Sequence, residues 1–134
     1  MKNLSIIRLL PMLILLFTFI SCEKDAGEGG NSSIYGKVWV RDYNANFTLL
    51  MYSYYGQDED VFIVYGDNKS YSDKVSTNYD GTFEFKYLRP GKYTLYSYSK
   101  DSTLVSSALI PTIKEIEITD NSQEVDAGTI DILK

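Results

Sequence analysis

From Ile34 onward, apolar and polar residues alternate with a period of two along most of the chain. Residues 82–87, 92–96 and 114–119 alternate cleanly, as strands do when one face is buried and the other is wet. Residues 61–65 are apolar throughout, which is typical of a central strand covered on both faces. No stretch of ten or more residues after Ile34 has helical spacing, so the pattern predicts an all-β body.

Five further extended stretches raise the expected number of strands to eight or nine: residues 34–43, 47–54, 73–77, 104–110 and 125–133. The residues between strands favour tight turns. Asp80-Gly81 is a strong hairpin signal because a type I′ turn needs positive φ at both central residues, and Pro90-Gly91 fits a type II turn. Short strands punctuated by turns in this way predict an antiparallel β-sandwich or barrel.

The first 21 residues have the pattern of a secretory signal. Lys2 and Arg8 precede a mostly apolar run over residues 9–20, which ends at the small residue Ser21. A transmembrane helix is the alternative, but the run is shorter than the roughly 20 residues that cross a bilayer, and Pro11 interrupts it. We therefore expect residues 1–21 to be removed as a signal peptide.

Cys22 is the only cysteine of the chain and directly follows that leader. A cysteine at this place resembles the signal of bacterial lipoproteins, although Phe19 stands where that family usually has leucine. The resemblance implies cleavage before Cys22 and attachment of a diacylglycerol to its thiol. The protein is then expected to be anchored in the outer membrane, with the periplasmic and the external face both left open.

The segment that follows the lipid site is small, polar and charged over residues 23–33. We expect residues 22–33 to form a flexible tether and residues 34–134 to form the folded domain. The pair Lys24-Asp25 resembles the short charged signals that send some lipoproteins to the outer face of the outer membrane. A solvated spacer with no address function is the alternative.

Charge and composition exclude several functions. The chain has 18 acidic and 13 basic residues with no basic cluster, so binding to nucleic acid is not expected. It has no histidine, which excludes Ser-His-Asp and Cys-His nucleophiles and ordinary zinc sites. The acidic clusters at residues 58–60 and at Asp67 and Asp73 lack the spacing of a calcium loop, and solvated turns explain them better. We expect no enzyme, no cofactor and no metal.

A central motif connects the body to a known group of domains. Residues 76–85 and 88–95 read STNYDGTFEF and LRPGKYTL, and they resemble the core motif of carboxypeptidase-regulatory-like and transthyretin-like domains. Residues 34–38 and 125–130 also fit the first and last strands of that family. The resemblance implies a seven-stranded Greek-key β-sandwich, with Phe83, Phe85, Tyr93 and Leu95 pointing inward. Catalytic relatives on this fold use histidines, so none of their active residues carries over.

Twelve tyrosines are many for a chain of this length, and Tyr52, Tyr54 and Tyr55 form the tightest group. These three are the candidate residues for stacking on sugar rings, or for anchoring a protein partner. The alternative is that tyrosine favours strands in general. Two functions therefore remain: an accessory module that contacts an envelope protein through a strand edge, and a glycan-binding surface lipoprotein. Stacking needs coplanar exposed rings, whereas strand addition needs an uncovered, uncharged edge.

Overall fold

The computed structural model describes residues 25–134, so Cys22 and the predicted signal peptide lie outside the described residues. Eight strands form two sheets, and the described part of the chain contains no helix. The prediction of an all-β sandwich is confirmed. The strands are β1 Glu28–Tyr43, β2 Leu50–Tyr55, β3 Asp60–Tyr65, β4 Asp73–Ser76, β5 Thr82–Leu88, β6 Gly91–Ser99, β7 Ile110–Ile118 and β8 Glu124–Leu133.

The first sheet is built around β1, the longest strand. One edge of β1 pairs with β8, and the other edge pairs with β5 along its first half and with β2 along its second half. The second sheet has the order β4-β3-β6-β7 and is antiparallel throughout. The β1–β8 pair is parallel, since β8 enters from β7 of the other sheet and runs in the same direction as β1.

The core lies between the two sheets and is formed by alternate residues of their strands. Phe83, Phe85, Tyr93 and Leu95 are all buried, as the alternation predicts. The other fully buried large side chains come from β1, β3, β5, β7 and β8: Ile34, Val38, Val40, Val61, Ile63, Leu88, Ile118, Ile130 and Ile132. Fixing these side chains on one face fixes the register of the six strands that supply them.

The predicted hairpin at Asp80-Gly81 is wrong. The flanking strands β4 and β5 belong to different sheets, and this turn carries the chain from one sheet to the other. Of the two central turn residues, only Gly81 has a positive φ, at 78°, whereas a type I′ turn needs it at both. The Gly81 N–H donates to the Asn78 carbonyl at 2.9 Å. A Cβ on Gly81 would lie 2.8 Å from the Cβ of Tyr55, so close approach as well as φ requires glycine here.

The predicted strand over residues 104–110 is also wrong for most of its length. Residues 101–109 form an exposed loop, in which Leu104 and Val105 are 56% and 86% exposed, and β7 begins at Ile110. Pro111 lies inside β7, where the edge position removes the need for its missing N–H. The apolar residues of this loop gave a strand-like sequence pattern, but no neighbouring strand pairs with them.

The ordered body begins earlier than the predicted domain boundary at Ile34. Residues 28–33, expected to belong to a flexible tether, form the start of β1. The N–H of Ser33 donates to the Gln123 carbonyl at 2.9 Å, and the hydroxyl of Ser32 donates to the Asp120 carbonyl at 3.0 Å. Small residues resemble a linker in sequence, but here they allow one backbone to approach another closely.

Candidate functional site

Of the eight strands in residues 25–134, β2 is the most exposed. All six of its side chains are exposed, from 42% at Tyr54 to 66% at Tyr52 among the large ones. Its sequence LMYSYY contains no charged residue, no proline and no glycine. The preceding Leu49 is 59% exposed as well. This strand and Leu49 therefore form a continuous apolar and aromatic ribbon on the surface.

One edge of β2 is open. Within residues 25–134, β2 pairs with β1 alone. The Gly56 N–H donates to the Val38 carbonyl at 3.0 Å, which puts Val38 and Gly56 at the position of a hydrogen-bonded pair when the β1–β2 register is continued, although the Val38 N–H itself donates to the Gly81 carbonyl. Because such pairs alternate, the backbone N–H and C=O groups of Ser53 and Tyr55 point away from β1 and toward the open edge.

The three candidate tyrosines all lie on β2 but do not share one surface. Tyr52 and Tyr54 are two residues apart and project from one face of the strand, whereas Tyr55 projects from the other. The ring of Tyr55 packs edge to face against Trp39 with centroids 4.7 Å apart, and the Lys37 ammonium lies 4.6 Å from its centroid. The arrangement provides no platform of three coplanar rings.

A second aromatic surface lies on the outer face of the other sheet. Phe62 is its centre, in contact with the rings of Tyr71, Tyr96 and Tyr98 at centroid distances of 5.2, 5.0 and 5.5 Å. We call these four residues the Phe62 cluster. Phe62 and Tyr96 are nearly parallel at 11°, while Tyr71 and Tyr98 meet Phe62 edge to face and remain 55% and 44% exposed.

The Phe62 cluster covers the outer face of β3, where the sequence predicted a second covering layer. Val61 and Ile63 point into the core, but the opposite face carries neighbouring tyrosines in place of another sheet or helix. Burial raises the pKa of the Tyr96 hydroxyl, and the nearby hydroxyls of Tyr98 and Tyr71 raise it further. Polar and aromatic groups are thus interleaved on this face.

A charged rim borders the Phe62 cluster. The Lys74 ammonium donates to the Asp60 carboxylate at 2.9 Å and lies 5.8 Å from the Phe62 centroid. This hydrogen bond is the main reason that the pKa of Asp60 is lowered, and a further bond from Ser76 assists it. Asp60 is therefore a fixed carboxylate beside an aromatic ring at neutral pH.

An open groove of about 430 Å³ adjoins the Phe62 cluster at the end of the sandwich that holds the 101–109 loop. Its apolar lining comes from Phe62, Tyr98, Leu109 and Leu133. Its charged lining consists of three carboxylates and two ammonium groups: Asp58, Glu59, Asp60, Lys100 and Lys134. Within the described part of the chain, Glu59 forms an ion pair with Lys134, whereas the Asp58 carboxylate has no hydrogen bond or ion pair.

The acidic residues do not assemble into a metal centre. Across residues 25–134, no group of three or more His, Cys, Asp or Glu side chains is placed to hold a metal ion. Nor does any helix in that range have the length and apolar character needed to cross a membrane.

Part of the site could have been found from the sequence. Consecutive residues of a strand point to opposite faces, so Tyr54 and Tyr55 had to separate once β2 was accepted as a strand. Alternation in β6 likewise places Tyr96 and Tyr98 opposite the buried Leu95. The pairing of Phe62 with Tyr96 joins residues far apart in the chain, and no local pattern reveals it.

Comparison with known proteins yields little. No family model matches the chain, and no curated protein matches it. A crystal structure from Pseudomonas aeruginosa, provisionally described as that of a carbohydrate binding protein, resembles it with a TM-score of 0.49 and 14% sequence identity. The alignment covers 81% of this chain and 92% of that chain. So distant a likeness does not assign a function.

Proposed function

We propose that this chain is a non-catalytic binding module of the bacterial envelope, anchored to the outer membrane by lipid on Cys22. We further propose that it contacts an envelope protein through the open edge of β2. The observation that carries the proposal is the exposed, uncharged strand Leu50–Tyr55, which pairs with β1 along one edge and leaves its other edge unpaired within residues 25–134. An edge of this kind is a template for an added strand.

The other sheet edges support this choice because each is protected. β4 has four residues and carries Asp73 and Lys74, and β7 carries Pro111 with Lys114, Glu115 and Glu117. β8 carries three carboxylates, and β5 carries Glu84 and Lys86. Charges, proline and short length are the devices by which sheets avoid unwanted pairing. β2 carries no charge and no proline. An exposed edge without such protection would favour aggregation unless a partner covers it.

The chemistry of β2 also describes its partner. An extended segment would pair with the outward N–H and C=O groups of Ser53 and Tyr55, which gives affinity without sequence preference. Specificity would come from side chains that contact Tyr52 and Tyr54, since exposed tyrosines are frequent anchors of protein interfaces. The expected partner segment is therefore apolar at alternate positions and uncharged where it crosses β2.

We also infer that the sandwich belongs to the transthyretin-like and carboxypeptidase-regulatory-like group. The motif at residues 76–95 supports this assignment, because its four expected inward residues are all buried. The group includes domains without catalytic activity, and this chain has no histidine for the known active sites. In the proposed function, the sandwich acts as a rigid frame that holds β2 at the surface.

Photocrosslinking in intact cells tests the proposed contact. A photoreactive amino acid at Ser53 should give an adduct with one envelope protein, because this position borders the open edge. The matched control places the same group at Thr129, an exposed position on β8 at the other edge of the sheet. Adding Tyr54→Lys should abolish the Ser53 adduct, since an edge lysine blocks strand addition. Equal adducts from both positions, or an adduct that survives Tyr54→Lys, would reject the proposal.

Glycan binding remains a second candidate, and the Phe62 cluster is the observation that favours it. Aromatic rings there border a fixed carboxylate and a groove whose volume of about 430 Å³ suits a small ligand. Three carboxylates against two ammonium groups leave the lining nearly neutral, which suits a polyhydroxylated, uncharged ligand better than a strong anion.

Tyr98→Ala should weaken binding of any such glycan at least about tenfold, because it removes the exposed ring at the groove. A glycan array with residues 23–134 would identify the ligand, and titration would compare the variant with Tyr79→Ala. Tyr79 is 84% exposed and belongs neither to β2 nor to the cluster. If the array is blank, or if both variants bind equally, the glycan hypothesis fails.

A further inference from the structure

We propose that one end of the sandwich faces the lipid bilayer and that residues 25–30 hold it in that orientation. We call residues 25–30 the docked segment. The anchor end consists of the docked segment and the turns at residues 66–67, 89–92 and 119–121. This inference rests on the proposed function, because it needs lipid on Cys22.

Hydrogen bonds attach the docked segment to the turn that precedes β6. The Gly27 N–H donates to the Tyr93 hydroxyl at 2.9 Å, and the Arg89 N–H donates to the Gly27 carbonyl at 2.8 Å. The Arg89 guanidinium donates through Nε to the Asp25 carbonyl at 2.9 Å. The Tyr93 hydroxyl itself donates to the Arg89 carbonyl at 2.6 Å. The segment is therefore fixed from Asp25 onward.

Close packing shows that this attachment is specific. A Cβ on Gly30 would lie 2.0 Å from the Leu88 carbonyl oxygen, and a Cβ on Gly91 would lie 2.6 Å from the Cβ of Ala26. Ala26 also packs against the buried core. Glycine at residues 30 and 91 thus permits contacts that no other residue would allow. The docked segment has the composition of a linker, but it packs tightly against the folded domain.

The docking shortens the connection between lipid and body. Only three Cα–Cα steps separate Cys22 from Asp25, a reach of at most about 11 Å. A free tether over residues 22–33 would instead have an r.m.s. reach of roughly 20 Å. Strand β1 starts at the anchor end and runs for 16 residues, which spans roughly 50 Å. The 101–109 loop and the groove beside it therefore lie at the end away from the lipid.

The charges at the anchor end indicate that the short connection from Cys22 to Asp25 orients the body. They do not indicate that this end binds the lipid headgroups directly. Asp25, Asp67 and Glu117 lie with Arg89 and Lys92 around an open cavity of about 820 Å³, and Glu28 and Asp120 add two exposed carboxylates to the anchor end. Five carboxylates against two cations leave this end net negative, so it offers no attraction to anionic headgroups. The orientation should consequently be the same on neutral and on anionic bilayers.

Fluorescence quenching on the full-length lipidated protein tests the inference. Cys22 is the only cysteine, so single cysteines at Asp67 and Thr103 can carry a fluorophore in two separate proteins once Cys22 is acylated. Vesicles of phosphatidylcholine with a headgroup-linked nitroxide lipid supply the quencher. We expect at least threefold stronger quenching at residue 67 than at residue 103, and the same ratio after addition of anionic lipid.

Two insertions separate the possible outcomes. Ten Gly/Ser residues between Lys24 and Asp25 should bring the ratio close to one, whereas the same insertion between Ser106 and Ser107 should leave it unchanged. Equal quenching at both ends of a protein that is demonstrably lipidated would overturn the inference and leave the proposed anchor intact. A protein that mass spectrometry shows to carry no lipid would overturn both.

Discussion

Replacing Cys22 with alanine should release essentially all of the protein from membranes, or leave it with its leader uncut. Acyl chains contribute about 0.8 kcal/mol per buried CH₂, and stable anchoring takes two such chains or one chain with a basic patch. The sequence offers no basic cluster as a substitute for a second chain. The diacylglycerol on Cys22 would therefore be the main attachment.

Fractionation of cells and intact-mass measurement would check this result together. The wild-type protein should sediment with the outer membrane and carry the mass of a lipidated chain that begins at Cys22. Ser102→Ala, a change in the exposed 101–109 loop, serves as the control and should behave like the wild type. A Cys22→Ala protein that is still processed and still membrane-bound would refute the lipoprotein assignment.

Tyr93→Phe should destabilise the body by about 1–3 kcal/mol, because it removes one hydroxyl that satisfies buried backbone groups. The ring is 1% exposed, and its hydroxyl bonds to the Gly27 N–H and to the Arg89 carbonyl. The melting temperature should fall by roughly 4–8 °C per kcal/mol for a domain of this size. Tyr79→Phe, at a residue that is 84% exposed, should leave it unchanged.

The same contacts predict a loss of stability at alkaline pH. Burial raises the pKa of Tyr93, and burial together with the Glu28 carboxylate raises the pKa of Tyr65 to about 12. A folded-state pKa above the ordinary tyrosine value near 10 means that folding favours the neutral hydroxyl. This contribution is complete below about pH 10 and disappears as the pH rises toward about 12.

Thermal unfolding between pH 8 and 12 would measure that loss. The variant with both Tyr65→Phe and Tyr93→Phe should show a shallower decline than the wild type, because the two titrating hydroxyls are absent. Parallel declines in the two proteins would show that other groups cause the alkaline effect.

The inward residues of β5 and β6 were predictable because period-two alternation is a local property. Phe83, Phe85, Tyr93 and Leu95 needed only their immediate neighbours to be assigned to the buried face. The same alternation, applied to Tyr54 and Tyr55, places them on opposite faces of β2. Local patterning thus determines which side chains share a face.

Longer-range relations could not be read in the same way. Asp80-Gly81 has the composition of a hairpin turn, but a turn does not reveal whether its two strands pair with each other or with strands of different sheets. The pairing of Phe62 with Tyr96 depends on strand order, which tertiary packing decides. The pairing of β2 with β1 and the Phe62 cluster both depend on strand order, so neither could be predicted from the sequence alone.

The N-terminal boundary illustrates a different ambiguity. Glycine and serine are equally suited to flexible linkers and to places where two backbones nearly touch. Gly30 belongs to the second class, because Leu88 fills the space that a side chain would need. Composition alone does not distinguish these two uses.

Amide hydrogen exchange on β2 in the presence of the crosslinked partner tests the strand-addition claim most directly. Ser53 and Tyr55 have their N–H groups at the open edge, whereas Tyr52 and Tyr54 already donate toward β1. Binding should slow exchange at residues 53 and 55 at least about tenfold, with much smaller changes at residues 52 and 54. Unchanged exchange at residues 53 and 55, with new protection confined to another strand or loop, would contradict the account.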